Sequence, residues 1–223
     1  MVVDGMSRDS GAVMTGHRSV HTCWYTRRMS SRERLTDAMA ELFWERGYAA
    51  TSPRNVLVRT EVGQGSMYHH FTGKHDLALQ TLTSVTAEVA AESELLDGAG
   101  APLERMMRYL TRPREGIRGC RAGRMTQDPQ LVEDAELIAV VAGAFDTIID
   151  RWRRVIVEAV ADGELSETVV PYDLAYALVA VIQGGYVLAR ARGAQERTPR
   201  FAACSPCSTP LATPRRRITH PTK

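Results

Sequence analysis

Apolar residues recur along this chain at helical spacing, and no segment reads as a strand or an internal repeat. Leu35, Met39, Leu42 and Phe43 define one face of a first helix over residues 30–48. Ser30 and Glu33 form a capping box at its start, the hydroxyl and the carboxylate each satisfying an orphan backbone N–H. Gly47 is placed to close the helix in a left-handed conformation, with Tyr48 packing after it. A second helix is predicted over 51–62, with Ser52 as N-cap, Pro53 at the first helical position, and Val56 and Leu57 facing inward. After a break at Glu61–Gly63, the stretch "QGSMYHHF" makes about two turns. Its Met67 and Phe71 are four apart and share a buried face, while Ser66, His69 and His70 point elsewhere.

From Lys74 a longer helix runs on through "ESELL". Beyond Gly98 the pattern stays helical: a helix stopped by Pro113, a short irregular piece from Gly119 to Leu131, a long helix closed by Gly163, and a last helix opened by Pro171 and closed by Gly193. The long helix carries two apolar stripes. Leu137, Val141, Ala144, Ile148, Trp152 and Val155 form one, and Ile138, Phe145, Ile149 and Ile156 the other, which suits a helix packed on its own core and on a partner. In the last helix Gly184-Gly185 allows close helix approach.

Composition changes this picture in a few places. The 223 residues are 44% hydrophobic, enough to bury a sizeable core. There is no run of eighteen apolar residues, so no membrane span is expected. The first 28 residues lack the apolar h-region of a signal peptide. They have no sustained period and are expected to be disordered, with Met29 a possible second start. Residues 197–223, rich in Pro, Ser and Thr, carry five Arg, one Lys and no acid and are expected to be a disordered basic tail. Residues 78–196 hold twelve Arg against eighteen acids, whereas residues 29–77 balance six against six. The four cysteines, Cys23, Cys120, Cys204 and Cys207, show no disulfide framework, which points to a reduced cytoplasm.

The stretch "GQGSMYHHFTGKHDL" concentrates the candidate chemistry. A metal site on His69, His70 and His75 is poorly supported, because adjacent residues on a helix diverge by about 100°. A phosphate-cradling loop is poorly supported too: the third glycine of GxGxxG is missing and a helix, not a strand, precedes it. "CSPC" at 204–207 has no second pair. No nucleophile–base pair can be named, so no enzyme, cofactor or metal is expected. What remains is a short helix that touches something. A helix, a three-residue break and a short helix starting with small residues is the helix-turn-helix layout. Gly65 and Ser66 permit close backbone approach, and the free N–H groups at the helix start face phosphate. Gln64 has the paired donor and acceptor that read adenine. Tyr68, His69 and His70 offer donors at backbone distance, and Lys74 can neutralise a phosphate. The alternative is an ordinary turn between core helices.

The residues Leu42-Phe43, Gly47-Tyr48, Thr51-Ser52, Val62, Gly65-Ser66-Met67-Tyr68, His70-Phe71 and Lys74 resemble, in order and spacing, the DNA-binding region of the tetracycline-repressor (TetR) family of bacterial transcriptional regulators. Two positions depart from it. Glu61 stands where the family usually has a turn glycine, and a non-glycine held left-handed there costs roughly 1 kcal/mol or more. Gly63 stands where a serine N-cap is common, a loss of only a few tenths of a kcal/mol.

The resemblance implies an all-α protein with a three-helix helix-turn-helix DNA-binding domain at 29–79 and a helical ligand-binding and dimerisation domain at 80–196. It implies contact with double-stranded operator DNA by Thr51, Ser52, Arg54, Gln64, Gly65, Ser66, Tyr68, His69, His70 and Lys74. It implies a homodimer through the last two long helices, and a small apolar or aromatic effector that lowers DNA affinity. Met106, Met107, Tyr109, Met125, Phe145, Trp152 and Tyr186 are candidates to line its pocket. Two classes compete with this: a helical interaction module that has lost DNA binding, which Glu61 would favour, and an enzyme with a cryptic site, which no nucleophile–base pair supports.

Overall fold

The computed structural model describes residues 29–193. The expectations for the N-terminal segment, Cys23, the "CSPC" pair and the basic tail lie outside these residues. Among the described residues nine α-helices follow in order: α1 (Ser31–Arg46), α2 (Pro53–Thr60), α3 (Gln64–His70), α4 (Lys74–Ala91), α5 (Pro102–Thr111), α6 (Arg121–Met125), α7 (Pro129–Val132), α8 (Ala135–Ala161) and α9 (Pro171–Arg192), with a 3-10 turn at Glu92–Leu96 after α4. No strand occurs among the described residues.

The helices start where their capping chemistry says they should. At α1 the Ser30 hydroxyl accepts from the Glu33 N–H, and the Glu33 carboxylate accepts from the Ser30 N–H at 2.7 Å. Ser52 and Asn55 make the same reciprocal pair at α2, with Pro53 at the first position. Asp134 caps α8 by accepting from Glu136 and Leu137 N–H groups; these bonds, Leu137 first, and the neighbouring His75 hold its carboxyl below the usual range. His75 Nε2, at the start of α4, lies 3.0 Å from Asp134 Oδ2, so the first turns of α4 and α8 are tied together.

Gly47 departs from expectation. It closes α1 with positive φ, but its ψ of 176° puts it outside the left-handed helical region. A side chain there would be strained in any case and would also meet Asp128, whose Oδ2 would stand 2.6 Å from an added Cβ. That carboxylate accepts from the Ala49 N–H at 2.8 Å and from the Leu131 N–H at 3.3 Å. The loop after α1 is thereby pinned to the cap of α7.

Two hydrophobic clusters form the core. The first joins Leu35, Met39, Leu42 and Phe43 of α1 to Val56, Met67, Phe71 and Leu77, and continues through Leu82 to Met125, Leu137 and Val141. The second joins Met106 and Tyr109 of α5 to Ile148, Trp152 and Ile156 of α8 and Val179 and Ile182 of α9. The first stripe of α8 is buried as its period predicts. The second is not a free face: Ile156 is buried, and Ile138, Phe145 and Ile149 pack half-buried against the two clusters. The division expected at residue 79 falls inside α4, which packs on both α1 and α8. The outward apolar surface lies instead on α9, where Tyr172, Tyr176, Val181, Val187 and Leu188 are exposed. By length and composition α9 is apolar enough to cross a bilayer. Gln183 and Arg190 break its apolar run, so no eighteen-residue run exists, yet they leave the helix apolar as a whole.

Candidate nucleic-acid interface

α2, the turn and α3 form the unit that the spacing predicted. Val56, Met67 and Phe71 are buried beneath it, fixing α3 against α1. Glu61 adopts φ 55°, ψ 21°, the left-handed conformation the turn requires, and is the only non-glycine with positive φ among the described residues. Its departure from glycine therefore strains the turn without changing its path. Gly63 serves as the N-cap of α3 with no side-chain bond, as its missing side chain dictates.

With Met67 turned inward, the other side of α3 faces solvent. Gln64, Gly65, Tyr68 and His69 are exposed and Ser66 is half-buried. A Cβ at Gly65 would meet nothing within 4 Å on the protein's side, so any crowding at that position would come from a docked surface. Arg54 is exposed near the start of α2, and Ser52 is exposed with its hydroxyl engaged in the cap.

Two of the expected contacts are engaged inside the fold, and a third is braced by an aromatic ring. Thr51 is buried, and its hydroxyl donates to the Gly47 carbonyl at 2.7 Å, so it braces the α1–α2 loop and offers no side chain to DNA. His70 Nε2 shares a 2.9 Å hydrogen bond with the Ser31 hydroxyl, which commits the ring to holding α3 against α1. Lys74 is half-buried, with its ammonium 3.9 Å from the centre of the Tyr48 ring. Burial lowers its pKa, with Asp128 acting the other way. The two adjacent imidazoles His69 and His70 meet edge to face, and no cluster of three or more His, Cys, Asp or Glu suited to a metal occurs among the described residues.

The helical domain holds two adjoining clefts. The larger, about 380 Å³, opens between α1, the 3-10 turn, the α5–α6 segment and α9. The smaller, about 300 Å³, lies between α6, α8 and α9. Gly119, Cys120, Gln183 and Tyr186 border both. Of the expected pocket residues, Tyr109 lines the larger cleft, Phe145 the smaller and Tyr186 both. Met106, Met125 and Trp152 line neither and are buried core; Trp152 lies edge-on to Tyr109 at 5.4 Å. Met107 is half-buried and also lines neither.

The clasp between the larger cleft and α1 leaves no pattern in the sequence. The Trp44 indole N–H donates to the Arg118 carbonyl at 2.7 Å. The Arg118 and Arg121 guanidiniums lie over the Trp44 ring at 3.6 and 4.6 Å, and both pair with Glu41. The arginines are legible only as charge in a loop; the fold brings them to α1.

This geometry defines a helix-turn-helix DNA-binding protein with a helical, cleft-bearing second domain. Residues 35–81 match the family described as bacterial regulatory proteins, tetR family. The HTH-type transcriptional repressor DhaR of Mycobacterium sp. (strain GP1) is 27% identical over 161 residues, covering 69% of this chain and 79% of that protein. The HTH-type transcriptional repressor KstR2 of Mycobacterium tuberculosis is 32% identical over 78 residues, 34% of this chain and 39% of that protein. Among solved structures, the regulatory protein TetR from Rhodobacter sphaeroides is 29% identical with a TM-score of 0.63, covering 71% of this chain and 88% of its own. The chain thus carries a tetR-type helix-turn-helix region at residues 35–81, resembles tetR-family regulators along most of its length, and is a DNA-binding transcriptional regulator.

Proposed function

We propose that the protein is a cytoplasmic repressor that binds a palindromic operator as a homodimer and is released when a small molecule occupies the helical domain. The observation that carries DNA recognition is the two-sidedness of α3: Met67 buried on one side, Gln64, Gly65, Tyr68 and His69 exposed on the other. A helix anchored in this way enters a major groove with its first residues at the base edges. Gln64 is the base-reading side chain, Arg54 and Tyr68 are the phosphate contacts, and Lys74 reaches phosphate from the ring of Tyr48. The relatives named as repressors support the sign of regulation. The turn at Glu61 keeps its left-handed geometry, which favours a working reader over a module that has lost DNA binding.

Fluorescence anisotropy of the full chain on DNA from the flanking intergenic region tests this. Gln64→Ala should change preference at one base position in each half-site, a loss of about 1–3 kcal/mol there. Lys74→Ala should weaken all sequences alike and lower the salt slope by about 1 for each phosphate it leaves unneutralised. If Lys74→Ala changed base preference while Gln64→Ala moved only the salt slope, α3 would be misplaced in the groove.

A further inference from the structure

The two clefts have a charge that their domain does not. Between residues 78 and 193 there are twelve arginines against seventeen acids. Six of those arginines line the clefts: Arg112, Arg114, Arg118 and Arg121 the larger, Arg124 and Arg190 the smaller. Only two of the acids, Glu92 and Glu115, do so. A domain with an excess of acid has therefore gathered half its arginines around its two connected hollows.

Two of these guanidiniums are crowded. Burial first, and then the neighbouring Arg112, lowers the pKa of Arg114; burial and then Arg190 do the same to Arg124. A guanidinium keeps its proton regardless, so the clefts stay cationic at neutral pH. Protein carboxylates answer part of this charge from the rim. Glu92 pairs with Arg112, Glu41 of α1 takes Arg118 at 2.6 Å and Arg121 at 3.3 Å, and Glu88 and Glu115 stand 3.2 Å from Arg121 and 3.9 Å from Arg118. The walls between the arginines are apolar or aromatic: Val89, Ile182 and Tyr186 in the larger cleft, Phe145 and Val187 in the smaller. Burial pushes the Tyr186 phenol up to about 12, so it stands at the shared wall as an O–H donor.

We propose that the effector is an amphipathic organic oxyanion, its negative group held by Arg118 and Arg121 beside α1 and its apolar or aromatic body lying past Tyr186 toward Phe145 and Val187. The planar guanidinium fork suits an oxyanion with two acceptor oxygens. The inference rests on the ligand-released reading above and adds the effector's charge and its route to the DNA-binding domain. An anion at Arg118 and Arg121 competes with Glu41, and losing Glu41 removes an ion-pair tie between α1 and the α5–α6 segment. The bound state thus differs from the free state at the helix that supports α3, which is the differential contact that coupling requires.

The test uses two dyes with the same aromatic body, 1-anilinonaphthalene-8-sulfonate and its uncharged counterpart N-phenyl-1-naphthylamine, titrated into the full chain with and without operator DNA. The anion should bind at least about tenfold more tightly than the neutral dye and lower operator affinity. Arg118→Gln with Arg121→Gln should weaken the anion at least about tenfold and leave the neutral dye unchanged. Glu41→Gln should tighten the anion, a gain that misfolding cannot imitate. Equal or tighter binding of the neutral dye, with release of DNA, would overturn the anionic class and leave ligand-controlled release standing. Anion binding indifferent to the arginine and glutamate changes would overturn the site. Anion binding that responds to those changes without altering operator affinity would overturn the ligand-released reading itself, and with it the anion's role as effector. Saturable binding of neither dye would overturn the proposal outright.

Discussion

Glu61 is the residue where the backbone and the side chain ask for different things. The turn needs φ 55°, ψ 21°, and the residue supplying it is an exposed carboxylate next to α3. Asparagine tolerates this conformation better than glutamate, so Glu61→Asn should relieve roughly 1 kcal/mol of strain and raise Tm by a few degrees. Removing a negative charge beside DNA should also tighten operator binding, most at low salt. Glu61→Gln separates the two effects, because it removes the charge and keeps a side chain no better suited to the turn. It should tighten DNA binding and leave Tm where it was; an equal gain in Tm from both variants would assign the cost to charge and not to the backbone. The residue scale is also where sequence and structure part most. Thr51 and His70 sit in the right motif at the right spacing, yet one hydroxyl is taken by Gly47 and one imidazole by Ser31. Spacing places a residue on an element; it does not say which neighbour has claimed its polar atoms.

At the scale of elements the helices were legible because their ends carry local chemistry. The Ser30–Glu33 capping box, the Ser52 cap, the prolines at the starts of α2 and α9, and the glycine closing α1 act within a few residues of where they stand. The contacts between elements were not legible, since Met106, Met125 and Trp152 have the same period whether a cavity or another side chain lies opposite. Asp128 shows the difference. In sequence it is an acid before a proline; in the fold it ties the α1–α2 loop to α7 through Ala49 and Leu131. Asp128→Ala should cost about 1–3 kcal/mol by removing the acceptor from two N–H groups. Gly47→Ala should also destabilise, because a Cβ strains the positive φ and meets the Asp128 carboxylate. The double variant has no carboxylate to meet, so its loss should fall short of the sum of the single losses by about 0.5–3 kcal/mol. Urea unfolding of the four proteins measures this; additivity would mean that the carboxylate simply moves aside and that strain at Gly47 is purely local.

For the whole molecule the question is what covers α9. One side of this helix is buried at Ala175, Val179, Ile182 and Ala189, the first three in the cluster shared with α8, while Tyr172, Tyr176, Val181, Val187 and Leu188 remain exposed on the others. A second copy is the occupant that also serves DNA recognition, because a symmetric dimer places two α3 helices about one DNA turn apart, roughly 34–36 Å, to read a palindrome. Gly184 lies between this surface and the mouth of the smaller cleft, is exposed, and has no atom within 4 Å of where its Cβ would stand, whereas Gly185 is half-buried. The monomer therefore has room for a larger side chain at Gly184, and a closely packed partner helix would not. Light scattering at micromolar concentration should give about twice the 24.7 kDa chain mass, the closed dimer expected of an isologous interface. Gly184→Arg should raise the dimer dissociation constant at least about tenfold, from overpacking and from placing charge in an apolar interface. Operator affinity should fall with it, while weak binding to a single half-site stays the same, since α3 is untouched. Retention of the dimer by Gly184→Arg would place the interface on another face, and a wild-type chain that ran as a monomer and sedimented with lipid vesicles would assign the apolar side of α9 to a membrane surface instead.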